Sequence, residues 1–211
     1  MKRPLVGLID YDMGNLKSVS KALESVGLKV RAVDAPSKLK GLDGIVLPGV
    51  GAFRVAVKNL RSRNLFKPIQ IWIGTGKPFF GICLGYQLLF QKGMEGGRPE
   101  KGLGIFRGEV RRFRAQAGLK VPHMGWNRVR PAGKKAAPLF KGIRPGSFFY
   151  FVHSYFPVPK DRKIVATKTV YGSPFASSVA WDASFACQFH PEKSGSNGLK
   201  LLRNFASRLA A

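Results

Sequence analysis

The strongest constraint on the fold is an alternation early in the chain. Short, wholly apolar segments take turns with longer segments whose apolar residues recur at helical spacing. Val6-Gly7-Leu8-Ile9-Asp10 reads as a buried strand. Asn15 to Val26 reads as a helix, because Leu16, Val19, Ala22, Leu23 and Val26 fall on one face and Gly27 stops it. Lys29 to Val33 and Gly44 to Leu47 are predicted as the next two strands, the second ending at Pro48-Gly49-Val50-Gly51. Helices are predicted over Val55 to Leu60 and around Ile69 to Ile73. Pro78 to Ile82 is apolar and runs directly into Cys83, and Leu84 to Gln91 is predicted helical. Strands apolar on both faces need cover on both sides, which describes an α/β fold with a parallel sheet flanked by helices.

After residue 104 the pattern changes. Glu109 to Phe113, Asn127 to Arg130, Ser147 to Val152, Ile164 to Thr169, Val179 to Trp181 and Phe185 to His190 read as strands, and Leu199 to Leu209 as a closing helix. No linker divides the halves and no repeat is visible. The expectation is one domain over residues 1–211, with a central, mostly parallel sheet and a β-rich second half.

Composition then removes function classes. With 45% hydrophobic residues the chain can build a core, which sets disorder aside. No run approaches the ~20 apolar residues of a membrane span, and the first residues lack the pattern of a secretory signal. Two cysteines, Cys83 and Cys187, are too few for a disulfide framework, so a cytoplasmic setting is expected. The 36 Lys+Arg against 11 Asp+Glu give a net charge of +25, which invites a nucleic-acid reading. The basic residues are spread along the chain, however. The densest runs, Arg111 to Arg114, Lys134-Lys135 and Lys160 to Lys163, carry no helix-turn-helix, zinc-ligand or RNA-stacking pattern. A generally basic surface with no specific nucleic-acid partner and no metal site is the reading adopted.

Gly81-Ile82-Cys83-Leu84-Gly85 sits between an apolar strand and a helix, the geometry of a nucleophile elbow with Cys in place of Ser. A cysteine alone reads more simply as a small buried residue; the flanking glycines and the following helix start, which favours a thiolate and an oxyanion, reverse that reading. A thiol nucleophile needs a base. Of His123, His153 and His190, the last lies in Gln188-Phe189-His190-Pro191-Glu192, where Glu192 can return to the imidazole and fix its tautomer. His123 and Cys187 read as structural.

Gly81 to Gln87 together with Phe189 to Glu192 resembles the class I (triad) glutamine amidotransferases, and Pro48 to Gly51 looks like that family's oxyanion loop. Ile9 to Leu16, Pro122-His123-Met124-Gly125-Trp126-Asn127, Tyr150 to Tyr155 and Gln188 to Gly195 resemble, within it, the glutaminase subunits of imidazole glycerol phosphate synthases. The resemblance implies hydrolysis of L-glutamine to glutamate and ammonia without a cofactor. Cys83 would attack, His190 relay protons and Glu192 orient His190. Backbone N–H groups at Val50, Gly51 and Leu84 would hold the oxyanion, and Gly51, Gln87, Glu95, His153, Ser154 and Tyr155 would bind glutamine. Ammonia would pass to a (β/α)8 cyclase subunit in a heterodimer, with Trp126, the Pro122 to Asn127 turn and Lys193 towards that partner. Tyr86 stands where the family usually has Met, Lys92 and Gly93 where it has acids, and the strong basic charge is also a departure. A subunit feeding a different synthase, such as one modifying a surface sugar, and a non-catalytic basic scaffold are the alternatives.

Overall fold

The computed structural model describes residues 3–114, 118–133 and 138–209, so Lys134-Lys135 lie outside the described residues. The first half alternates as expected: β1 (Leu5–Ile9), α1 (Leu16–Ser25), β2 (Lys29–Val33), β3 (Gly44–Leu47), α2 (Phe53–Ser62), α3 (Phe66–Gly74), β4 (Phe79–Ile82) and the short α4 (Leu84–Gln87). Helix α1 begins where the Asn15 side chain accepts a hydrogen bond from the Ser18 N–H, and ends before Gly27, whose φ of +96° admits a glycine most readily. Then follow β5 (Phe90–Gly93), β6 (Glu100–Lys101), β7 (Phe106–Arg112), β8 (His123–Pro131), β9 (Ser147–His153), β10 (Tyr155–Pro159), β11 (Val165–Tyr171), β12 (Ser173–Trp181), β13 (Ser184–Cys187) and α5 (Gly195–Leu209).

Nine strands form one sheet in the order β2-β1-β3-β4-β13-β12-β11-β8-β9, and four form a second, β10-β7-β5-β6. The large sheet is mixed. From β2 to β13 neighbouring strands are parallel; from β13 to β9 they are antiparallel. Strand alternation sorts its side chains onto two faces. Val6, Leu8, Phe80 and Ile82 pack with Val19 and Leu23 of α1 and Leu201, Leu202 and Phe205 of α5. Ile9, Ile45, Leu47 and Phe79 pack with Phe53, Val57 and Leu60 of α2 and Ile69 and Trp72 of α3. β3 and β4 are buried on both faces, whereas edge strand β2 buries only Val33. No helix among the described residues is long and apolar enough to cross a membrane.

Several boundaries differ from the sequence reading. The helix expected to reach Gln91 stops at Gln87, because Leu88, Leu89 and Phe90 are fully buried and Phe90 to Gly93 pair into the second sheet. A side chain at Gly93 would collide with the Phe53 ring, so the strand passes tightly over α2. The Pro122 to Asn127 segment is not a turn; from His123 onward it is strand β8, in register with β9. The strand expected over Phe185 to His190 ends at Cys187. Helix α5 begins at Gly195, four residues earlier than expected, with Gly198 letting it approach the Pro191 carbonyl.

Candidate active site

β4 and β13 lie side by side in parallel, Cys187 opposite Ile82, and the Cys83 N–H donates to the Cys187 carbonyl at 2.8 Å. Both chains therefore leave the sheet at the same edge. β4 delivers Cys83 and β13 delivers His190, outside the carboxyl ends of parallel strands, where α/β sheets bind ligands. Cys83 has φ 52° and ψ −104°, a sparsely populated conformation for a residue with a side chain and the backbone of an elbow. The turn works because its flanks are glycine: a Cβ at Gly85 would lie 1.9 Å from the Leu47 carbonyl oxygen.

His190 Nδ1 is 2.7 Å from Glu192 Oε1, and both side chains are almost wholly buried. Nδ1–H donates to the carboxylate, leaving Nε2, which is buried without a hydrogen-bond partner among the described residues, free to serve Cys83. Burial opposes charging the imidazole, but the Cys83 thiolate, with help from Glu192, outweighs it and pushes His190 up to about 10. Burial pushes the Cys187 thiol well above its ordinary value, and its Sγ donates to the Phe189 carbonyl, as befits a structural cysteine.

Cys83 opens into a cavity of about 510 Å³ lined by Val50, Gly51, Leu84, Gln87, Glu95, His153, Ser154 and Tyr155, among others. Every residue expected to bind glutamine or its oxyanion thus lines one cavity. Glu95 is held there because Oε2 accepts from the Phe53 N–H at 2.6 Å, satisfying a free donor at the start of α2. The Leu84 N–H donates to the Gly49 carbonyl at 3.2 Å, so the chain's own oxygen occupies this expected oxyanion donor. The loop is braced from below: the Tyr11 hydroxyl donates to the Pro48 carbonyl at 2.7 Å. Burial, and then the Cys83 charge, raise the Tyr11 pKa and keep that donor protonated.

Trp126 and Lys193 lie outside the cavity. Trp126 is 56% exposed, which removes core packing as its role, and with exposed Met124 and Phe148 it forms an apolar patch on β8 and β9. The Trp126 ring meets Tyr150 edge-on, and Lys193 Nζ stands 5.9 Å over the same Tyr150 ring, so both border one surface beside Glu192. Sequence reasoning assigned no role to Tyr11 or Gln188. Gln188 is fully buried with Nε2 3.5 Å from Cys83 Sγ, and only its place two residues before His190 could have pointed to it. No grouping of side chains among the described residues could hold a metal ion.

A family model described as glutamine amidotransferase class-I matches residues 7–209. The imidazole glycerol phosphate synthase subunit HisH of Thermosynechococcus vestitus is 50% identical over 210 residues, 98% of each chain. That of Aquifex aeolicus is 52% identical over 199 residues, 94% of each. Among solved structures, PurLQS from Thermotoga maritima matches with a TM-score of 0.74 at 20% identity, over 98% of this chain and 99% of that one, a likeness of fold. With a family match across almost its whole length and relatives half identical from end to end, the chain belongs to the class I glutamine amidotransferases, in the branch of the HisH subunits.

Proposed function

We propose that the chain is a single-domain, cytoplasmic glutaminase subunit that hydrolyses L-glutamine through Cys83, His190 and Glu192. The observation that carries this is the Cys83 elbow opening into a cavity beside a His190–Glu192 pair. With its imidazole pushed up to about 10, His190 is a charged partner for a thiolate. Cys83 adds to the side-chain amide carbon, and the imidazolium protonates the departing nitrogen, leaving a thioester and ammonia. Neutral His190 then takes a proton from the water that hydrolyses the thioester, and Glu192 supports the imidazolium each time it forms. Glu95 faces the substrate ammonium, while Gly51, Gln87 and the His153-Ser154-Tyr155 wall hold the rest of glutamine. The oxyanion hole uses Leu84 with the Val50-Gly51 segment once the Gly49 carbonyl has moved aside.

Ammonia passes to a (β/α)8 cyclase subunit in a heterodimer, which forms imidazole glycerol phosphate and an aminoimidazole carboxamide ribonucleotide in histidine biosynthesis. The Trp126 and Lys193 surface faces that subunit. The test is glutamine hydrolysis by the wild type, Cys83→Ala and Cys187→Ala, each with and without a cognate cyclase. Activity that vanishes in Cys83→Ala, persists in Cys187→Ala and rises with the cyclase supports the reading. Full activity in Cys83→Ala refutes it.

A further inference from the structure

His123 and Asn127 take no part in the chemistry above, yet they begin a string of hydrogen bonds that ends at the nucleophile. Its direction is fixed at each link. The Tyr155 carbonyl can only accept. Gln87 gives it one Nε2 hydrogen at 2.9 Å, so the nitrogen's other hydrogen goes to Gln188 Oε1 at 3.2 Å. Gln188 must then turn its own Nε2 the other way, towards Cys83 Sγ at 3.5 Å. On the far side of the carbonyl, His153 Nδ1–H donates to the same oxygen at 2.9 Å. His153 Nε2 is therefore the acceptor for His123 Nδ1–H at 3.0 Å, and His123 Nε2 the acceptor for Asn127 Nδ2 at 3.1 Å. Asn127 is fixed in turn by donating to the Val170 carbonyl at 2.9 Å. Burial keeps both imidazoles neutral, pushing His123 down to about 4 and His153 to about 3.

We propose that Gln188 is a catalytic hydrogen-bond donor to the Cys83 sulfur, oriented by Gln87 on the Tyr155 carbonyl, which the Asn127–His123–His153 chain holds in place. The proposal rests on Cys83 being the nucleophile. Gln188 is fully buried, and a buried N–H facing a thiolate makes a charge-assisted hydrogen bond. His190 holds the proton that the sulfur gives up; Gln188 favours the charge left behind. The other titratable groups around the sulfur are Glu192 behind His190, Tyr11 beneath the loop, Cys187 on the neighbouring strand, and His153 and Glu95 in the cavity wall.

Iodoacetamide reports this without any glutamine turnover. The full chain is alkylated across a pH series, and peptide mass spectrometry assigns the label to Cys83 or Cys187. Gln188→Met keeps the volume and removes the donor. It should raise the pH of half-maximal Cys83 alkylation by about one to two units. Gln188→Leu, likewise neutral and without a donor, serves if Gln188→Met does not fold. His123→Phe preserves the stack on Tyr171 and Phe151 but cuts the chain, and should shift the profile the same way by less. A folded Gln188 variant with the wild-type profile overturns the proposal. Wild-type protein labelled at Cys187 in preference to Cys83 overturns the nucleophile itself, and the proposal with it.

Discussion

The chain has three histidines, and the structure leaves none of them to titrate near neutrality. His123 sits at about 4 and His153 at about 3 through burial, while His190 is carried to about 10. Cys83→Ala removes the largest influence raising His190 and leaves burial opposed by Glu192 alone. An opposite charge at this range moves a pKa by about 1 to 3 units, so the His190 midpoint should fall by about two units or more, into the window the wild type leaves empty. Imidazole proton and nitrogen resonances followed from pH 4.5 to 10.5 test this directly. Wild-type spectra should show no histidine titrating between about pH 5 and 9, and Cys83→Ala should show one. A wild-type histidine titrating near 6.5, or an unmoved His190 in the variant, would refute the reasoning. Stability carries the same signature. His190, raised above its unfolded value of 6.5, contributes stabilisation that is full below pH 6.5 and lost as pH rises through about 10. His123 and His153 act oppositely. Below pH 6.5 the unfolded chain binds protons that the native chain refuses, a loss of about 3 kcal/mol for each by pH 4. The urea midpoint should therefore fall from pH 6.5 towards 4, and less steeply in His123→Gln.

Because the Leu84 N–H is already taken by Gly49, the isolated chain should be slow. Adding a cognate cyclase with its nucleotide ligand should raise glutaminase turnover about 10²- to 10³-fold, the worth of one oxyanion donor, and Lys193→Ala should blunt that rise. Equal turnover alone and in complex would show a preformed hole. Glu192→Gln should lower kcat far more than it changes KM; an altered KM at wild-type kcat would place Glu192 in substrate binding instead. Gly49→Ala brings a Cβ to 2.2 Å from the Tyr11 hydroxyl, so the Tyr11–Pro48 bond should break and activity fall at least about tenfold in steady-state assays, while activity equal to wild type counts against a braced loop. Trp126→Ala should leave the thermal midpoint unchanged yet weaken cyclase binding about thirtyfold, read by calorimetry.

The legible parts of the fold are those where burial is complete. β3 and β4 show as unbroken apolar tetrads because both faces are covered, and Asn15 and Gly27 mark α1 by their own chemistry. Leu88, Leu89 and Phe90 misled for a related reason: a buried strand and a buried helix share the same apolar run. β10 was hidden by Pro157 and Pro159, which its edge position tolerates. The Cys83 and His190 motifs are local and could be read directly. Gln188 could not, since its link to Cys83 exists only once β13 lies against β4.

Along β8 and β9, neighbouring residues belong to different tasks. His123, Phe149, Phe151 and His153 are buried, the last in the wall of the cavity at Cys83, while Met124, Trp126 and Phe148, interleaved with them, look out to solvent. A pleated strand thus writes two messages in alternate letters. On the docking face proposed above, substitutions at Met124, Trp126 and Phe148 would change what that surface fits while the buried residues between them stay put. A one-residue slip of the whole of β8 against β9 has no such freedom. It would exchange the two alphabets, turning Trp126 inward and His123 outward, and the buried layer and the proposed docking face would fail together.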